Sequence, residues 1–295
     1  MPDRSSPLQR RAVRLRAEQR LRESVRGVRA WARGVGTGDA GSLPDFLVIG
    51  GMRCGTTSLF AYLAGHPSVV PAIGKELQYF TVFHDKGERW YRGHFPPPRA
   101  GQKTFEASPY YLYHPLAPAR VRELLPNGRF IALLRDPVER AYSHYKHSVE
   151  RGVEPLSFLD AVHAEEERLA PYLRGGDLTS KQAHAALRSY SYVSRGMYAE
   201  QLERWYCHFD REQMLVIRSE DMYADPAAVY ARCVSFLNLA PHEQGAFGLH
   251  TRAKPPMPAV TDGARDELRE LYAPHDHRLR DLLGWSTGWP LASIG

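Results

Sequence analysis

Phe46-Leu47-Val48-Ile49-Gly50-Gly51-Met52-Arg53-Cys54-Gly55-Thr56-Thr57-Ser58-Leu59 changes character twice within a few residues. Its apolar start has no polar alternation, which marks a strand buried on both faces. Two glycines then break the run, as a tight turn requires. From Thr57 the apolar residues Leu59, Phe60 and Leu63 follow helical spacing up to Gly65-His66-Pro67, where the helix must stop. The order is strand, glycine turn, helix.

The same reading extends outward from this unit. Further strands are expected at 104–107, 130–134 and 214–218, and helices at 115–125, 137–151, 157–169, 196–208, 226–238 and 262–283. Apolar strands separated by helices predict an α/β fold: a P-loop-like central parallel sheet flanked by helices on both faces. Residues 44–290 are expected to form this domain. Ahead of it, residues 1–40 read as a basic helical extension and linker. Leu8, Val13, Leu15, Leu21, Val25, Val28 and Trp31 recur at roughly helical spacing across 5–34, and a glycine-rich stretch follows over 34–41. Such a helix suits a solvated extension, an anionic membrane surface or a partner protein.

Charge and composition remove several function classes. Of the 295 residues 43% are hydrophobic, enough for a full core. The net charge of +6 is concentrated in residues 1–34, where ten arginines face only Asp3, Glu18 and Glu23. The rest of the chain is near neutral, so nucleic-acid binding is not expected. No apolar run has the length of a membrane span and the N-terminus lacks a secretory core, so the cytoplasm is the expected location. Cys54, Cys207 and Cys233 are too few and too scattered for a disulfide framework or a zinc site.

The glycine turn carries the first candidate site. Backbone N–H groups at a helix N-terminus hold anions, and the spacing from Gly50 to Gly55 is that of a P-loop. Thr56 stands where the lysine of a triphosphate-binding loop belongs, and Arg53 supplies a cation earlier in the turn. A phosphate-bearing ligand other than Mg-ATP therefore suits the loop, with a P-loop kinase or NTPase as the alternative and a purely structural turn as the plain one. Arg135-Asp136-Pro137 directly follows the strand 130–134, at the strand end where open parallel sheets bind ligands. Asp136 and Pro137 can start a helix on which Arg140 and Ser143 lie one turn apart. Arg135 and Ser143 read either as a phosphate clamp or as ordinary surface groups. Glu76 is acidic among Leu77, Tyr79 and Phe80, which would desolvate it; alternatively it pairs with Lys75 or Arg53.

These segments resemble the sulfotransferases that use 3′-phosphoadenosine-5′-phosphosulfate (PAPS), in the manner of the heparan sulfate sulfotransferase-like branch and its bacterial relatives. Residues 49–59 are similar to the family's 5′-phosphosulfate loop. Leu134-Arg135-Asp136-Pro137-Val138-Glu139-Arg140-Ala141-Tyr142-Ser143 resembles its 3′-phosphate motif, and Gly74-Lys75-Glu76-Leu77-Gln78-Tyr79-Phe80 resembles the segment with the catalytic glutamate. Phe105-Glu106-Ala107-Ser108-Pro109-Tyr110-Tyr111 and Val216-Ile217-Arg218-Ser219-Glu220-Asp221-Met222 also match in type and order.

The resemblance implies sulfuryl transfer to a hydroxyl or amine of a small-molecule or carbohydrate acceptor, with no metal. Glu76 would be the general base, and Arg53 would meet the charge that grows on the leaving group. Arg53, Cys54, Gly55, Thr56, Thr57, Ser58, Arg135 and Ser143 would hold the donor, with Arg252 and Lys254 as a looser match to a donor-clamping loop. The chain departs from the family in having arginine at position 53, where lysine is usual, and Ala107, where some members have lysine. His66, His84, His94 and His114 fall in expected crevice-side loops, and His114 is the second candidate for the base. Trp90, Tyr91, Tyr110, Tyr111 and Tyr113 could either floor an acceptor site or belong to the core.

Overall fold

A computed structural model of the chain describes residues 41–248, 259–286, 288 and 289. The expected basic helix over 5–34 and its linker lie outside the described residues, as do Arg252 and Lys254. The described strands are β1 (Phe46–Gly50), β2 (Val69–Pro71), β3 (Lys103–Ala107), β4 (Arg129–Leu134) and β5 (Met214–Arg218). The helices that matter for the site are α1 (Thr56–Ala64), α2 (Tyr110–Tyr113), α3 (Pro137–Glu150), α4 (Tyr198–Tyr206), α5 (Ser219–Ala224), α6 (Pro226–Phe236) and α7 (Asp262–Leu283).

All the strand pairs are parallel, in the order β2-β3-β1-β4-β5. From β1 the chain moves to one side of the sheet, through β2 and β3, and then crosses to β4 and β5 on the other. The reversal falls between β1 and β4, which places a crevice at their carboxyl ends.

Alternate residues of these two strands feed opposite cores. Leu47, Ile49, Phe130, Ala132 and Leu134 pack against Tyr198, Leu202 and Trp205 of α4. Phe46, Val48, Ile131 and Leu133 pack against Leu59 and Leu63 of α1 and Val229, Tyr230 and Cys233 of α6. Residues 46–49 are fully buried, as a strand covered on both faces must be.

Some local expectations are corrected. The stretch 157–169 forms two helices, Phe158–His163 and Glu165–Leu173, joined at Ala164. The break lets the buried Glu165 carboxylate accept from Val193 N at 2.5 Å and Ser194 N at 2.8 Å. Strand β2 and the helix Lys181–Ser189 were not foreseen. All three cysteines are unpaired. No described helix is long and apolar enough to cross a membrane.

Candidate active site

The turn after β1 is built around close backbone approaches. A Cβ at Gly50 would lie 2.4 Å from Leu112 Cβ of α2, and Gly51 N donates to Leu133 O of β4 at 2.5 Å. Arg53 and Gly55 have left-handed φ values of 70° and 87°, which turns the chain into α1. No side-chain hydrogen bond caps α1, which leaves its first N–H groups without a side-chain acceptor. Ser219 at the start of α5 pins the turn from below, donating to Cys54 O at 2.6 Å.

Thr57 is exposed beside this turn, while Thr56 is buried. Cys54 and Ser58, expected among the donor-binding residues, are both fully buried. Their amides are also engaged within the turn, Cys54 N with Gly51 O at 3.2 Å and Ser58 N with Gly55 O at 3.0 Å. Burial pushes the Cys54 thiol up, which leaves it an inert packing group.

The second motif starts where β4 ends. Asp136 caps α3, accepting from Val138 N at 2.9 Å and Glu139 N at 3.2 Å, with Pro137 in the first turn. Arg135 is 31% exposed at the crevice, 3.8 Å from the Glu139 carboxylate. Arg140 turns away into the core and donates to Tyr192 O.

Two turns along α3, Ser143 Oγ accepts from Arg53 Nε at 3.0 Å. The glycine turn and the arginine–serine motif, ninety residues apart at this pair, thus share one hydrogen bond. Burial lowers the Arg53 pKa; Glu150 opposes this, and the neighbouring Arg135 charge adds to the lowering. Two guanidinium groups that repel across a crevice form a place an anion would stabilise.

Tyr198 of α4, which no sequence motif singles out, braces both motifs. Its hydroxyl donates to Arg135 O at 2.9 Å and lies 3.8 Å from Cys54 Sγ. Beside Arg135 opens a cavity of about 720 Å³ walled by Tyr62, Met222, Tyr223, Phe247 and Trp289.

The Glu76 segment lies across the carboxyl end of β3. Glu76 N donates to Ala107 O at 3.0 Å, Leu77 N to Glu106 Oε2 at 3.3 Å and Gln78 N to Ser108 Oγ at 3.1 Å. These bonds hold Glu76 and Gln78 at left-handed φ values of 61° and 54°. The anchor is Glu106, fully buried, whose other oxygen accepts from Tyr91 Oη at 2.9 Å and Tyr111 Oη at 2.7 Å. Burial pushes the Glu106 carboxyl up and its hydrogen-bond donors pull it back.

The expected desolvation of Glu76 is corrected. Leu77, Tyr79 and Phe80 turn into the core, whereas the Glu76 side chain stays 44% exposed. The anticipated pairing with Lys75 is present at 3.6 Å, and Lys75 Nζ also donates to Thr57 Oγ1 at 2.8 Å. That second bond brings the Glu76 segment to the N-terminus of α1.

The histidines are corrected as well. His66, His94 and His114 are buried rather than crevice-side. His114 Nδ1 accepts from Leu116 N at 3.3 Å and Nε2 donates to Leu178 O at 3.4 Å, the neutral tautomer. Burial, helped by His184, pushes its pKa down to about 3, which leaves a poor base at neutral pH. Tyr91, Tyr110, Tyr111 and Tyr113 are buried core residues rather than an acceptor floor. Among the described residues no group of three or more His, Cys, Asp or Glu is placed to hold a metal ion.

Residues 43–247 match the family described as a sulfotransferase domain. Human heparan sulfate glucosamine 3-O-sulfotransferase 3A1 is 30% identical over 277 residues, covering 85% of this chain and 64% of that protein. Mouse bifunctional heparan sulfate N-deacetylase/N-sulfotransferase 4 is 34% identical over 209 residues, covering 68% of this chain and 23% of that protein. The chain therefore spans less than two thirds of these relatives. A solved sulfotransferase from Alicyclobacillus acidocaldarius superposes with a TM-score of 0.68 at 28% identity, covering 83% of this chain and 98% of that one.

Proposed function

This chain belongs to the sulfotransferase family, and from that membership we propose that it moves a sulfuryl group from PAPS to a hydroxyl or amine of a carbohydrate or small-molecule acceptor. The observation that supports this choice of donor is the Arg53–Ser143 contact, 3.0 Å long, which joins the turn we assign to the 5′-phosphate to the motif we assign to the 3′-phosphate. A nucleotide with phosphates on both its 3′ and 5′ positions needs those two sites together. The aromatic walls of the adjoining cavity, Tyr62, Tyr223, Phe247 and Trp289, suit its base. Thr56 in the lysine position argues against Mg-ATP. Residues 44–290 are the domain we assign to this activity, and heparan sulfate in the relatives' names favours a carbohydrate acceptor.

PAPS supplies an activated sulfuryl group on a phosphate leaving group. Within the protein, Arg135 and Ser143 orient the 3′ end, while Arg53 and the first N–H groups of α1 face the oxygen on which charge grows. Glu76 takes the proton of the acceptor. Its exposure lets an acceptor reach it, and its tethered backbone fixes the direction of approach. Adenosine-3′,5′-bisphosphate at about 100-fold above Kd should stabilise the protein by roughly 2.7 kcal/mol without added metal. Strong Mg-dependent ATP binding in its place would overturn the reading. Glu76→Gln should fold and bind the bisphosphate, yet lose about 10²–10⁴ in transfer rate.

A further inference from the structure

We propose that Lys75 is a catalytic residue, the cation that touches the oxygens of the sulfuryl group in flight; this rests on the sulfotransferase reading above. Lys75 belongs to neither phosphate motif. Its ammonium nevertheless reaches the first turn of α1, 2.8 Å from Thr57 Oγ1, and lies 3.6 Å from Glu76 Oε1. In an in-line displacement the leaving oxygen sits at the anion-binding turn and the incoming oxygen at the base. One ammonium that touches both ends lies beside the path between them, where the equatorial oxygens pass.

Arg53 is turned elsewhere. Its Nε is committed to Ser143 at 3.0 Å, on the side of the crevice that holds Arg135. That geometry gives Arg53 to the nucleotide's two phosphates and leaves Lys75 facing the moving group. Lys75 is only 21% exposed, so few waters screen it, and its charge acts strongly on nearby oxygens. Burial lowers its pKa, and Glu76 opposes the shift. During transfer the S–O bond to the 5′-phosphate breaks and its electron pair leaves with the phosphate. The S–O bond to the acceptor forms, and the acceptor's proton passes to Glu76. Lys75 stays protonated throughout.

Lys75→Gln keeps a donor toward Thr57 without the charge, and Lys75→Met removes both. Titration calorimetry with PAPS and with adenosine-3′,5′-bisphosphate, and release of labelled sulfate from PAPS to water, need no identified acceptor. Both variants should bind the bisphosphate within about threefold of wild type and PAPS roughly tenfold more weakly. Sulfate release should fall about 10²–10³-fold, the usual effect of losing one charge-stabilising donor. Ethylammonium in solution should partly restore release to Lys75→Ala. Equal effects on the two nucleotides, or release within threefold of wild type, overturn the proposal while the parent reading stands. Wild-type protein that binds no bisphosphate sinks the parent reading and this inference together.

Discussion

Replacing Glu106 by glutamine isolates what holds the Glu76 segment in place. The carboxylate is fully buried and accepts from four donors, two on each oxygen: Tyr91 and Tyr111, then Ser108 at 2.7 Å and Leu77 N at 3.3 Å. An amide presents one acceptor end and one donor end. With its oxygen toward Leu77 N and Ser108, the amide turns its NH2 on Tyr91 and Tyr111, which can rotate to accept but whose own O–H groups then lose their acceptor. Losing a hydrogen bond to a charged group costs about 1.5–3 kcal/mol, and leaving a buried donor unsatisfied costs about 1–3 kcal/mol. Together these give a destabilisation of roughly 2.5–6 kcal/mol. For a domain of this size each kcal/mol lowers Tm by about 2–4 °C, so the expected drop is roughly 5–24 °C. Scanning calorimetry measures it directly. Transfer activity should fall even at temperatures where the variant is folded, because the bond that tethers the left-handed backbone at Glu76 and Gln78 loses its charge, whereas bisphosphate affinity should change little. A Tm within 2 °C of wild type would refute the reasoning, since glutamine mimics a neutral acid and the site would then hold a protonated carboxyl.

Three further outcomes follow from the geometry. Arg135→Ala should weaken binding of adenosine-3′,5′-bisphosphate about 10- to 100-fold in calorimetry, the worth of one charge-assisted contact of roughly 1.5–3 kcal/mol; unchanged affinity removes Arg135 from the site. Gly55→Ala places a Cβ 2.6 Å from Tyr223 Oη and 2.7 Å from Met222 Cε at a φ of 87°. The left-handed backbone costs about 1–2 kcal/mol, and the side chains that must shift line the cavity, so unfolding midpoint and bisphosphate affinity should both drop; wild-type affinity would show that the turn does not shape the site. Burial pushes His114 down to about 3 and His184 down to about 4. Below about 6.5 the unfolded chain takes up protons that these folded imidazoles refuse, so their contribution is complete above that pH and declines toward about 4 and 3 at up to ~1.4 kcal/mol per pH unit each. Denaturant unfolding at a series of pH values should show this acid limb, and the His114→Asn/His184→Asn protein should have a shallower one.

The parts legible in the sequence are those whose cause is local. An apolar run entering glycines announces β1 and its turn, because burial and left-handed φ are written in residue type. Asp136-Pro137 announces the start of α3, since the aspartate side chain bonds within the next few residues. Strand β2 escaped because its three residues have no period to read and are held by pairing with β3, as Lys103 N on Ser68 O at 2.8 Å shows. The histidines were misplaced for the same reason. His66 sits in a polar-looking loop, but Ala240 O, 3.0 Å from its Nε2, comes from far along the chain.

The site divides along the same line. Arg53, Arg135, Ser143 and Glu76 could be named because each stands at a strand end or in a motif. That Arg53 leans on Ser143 could not be seen, and it alters how the motif residues share their work. In the proposed reading a loop cation bound to the clamp serves the nucleotide's two phosphates, and the charge nearest the proposed base is then a lysine next to it in sequence. Adjacent Lys75 and Glu76 look like a trivial surface pair in the sequence. The fold makes them a unit: bonds to Ala107 O, the buried Glu106 and Ser108 hold their backbone so that the ammonium meets Thr57 while the carboxylate stays exposed.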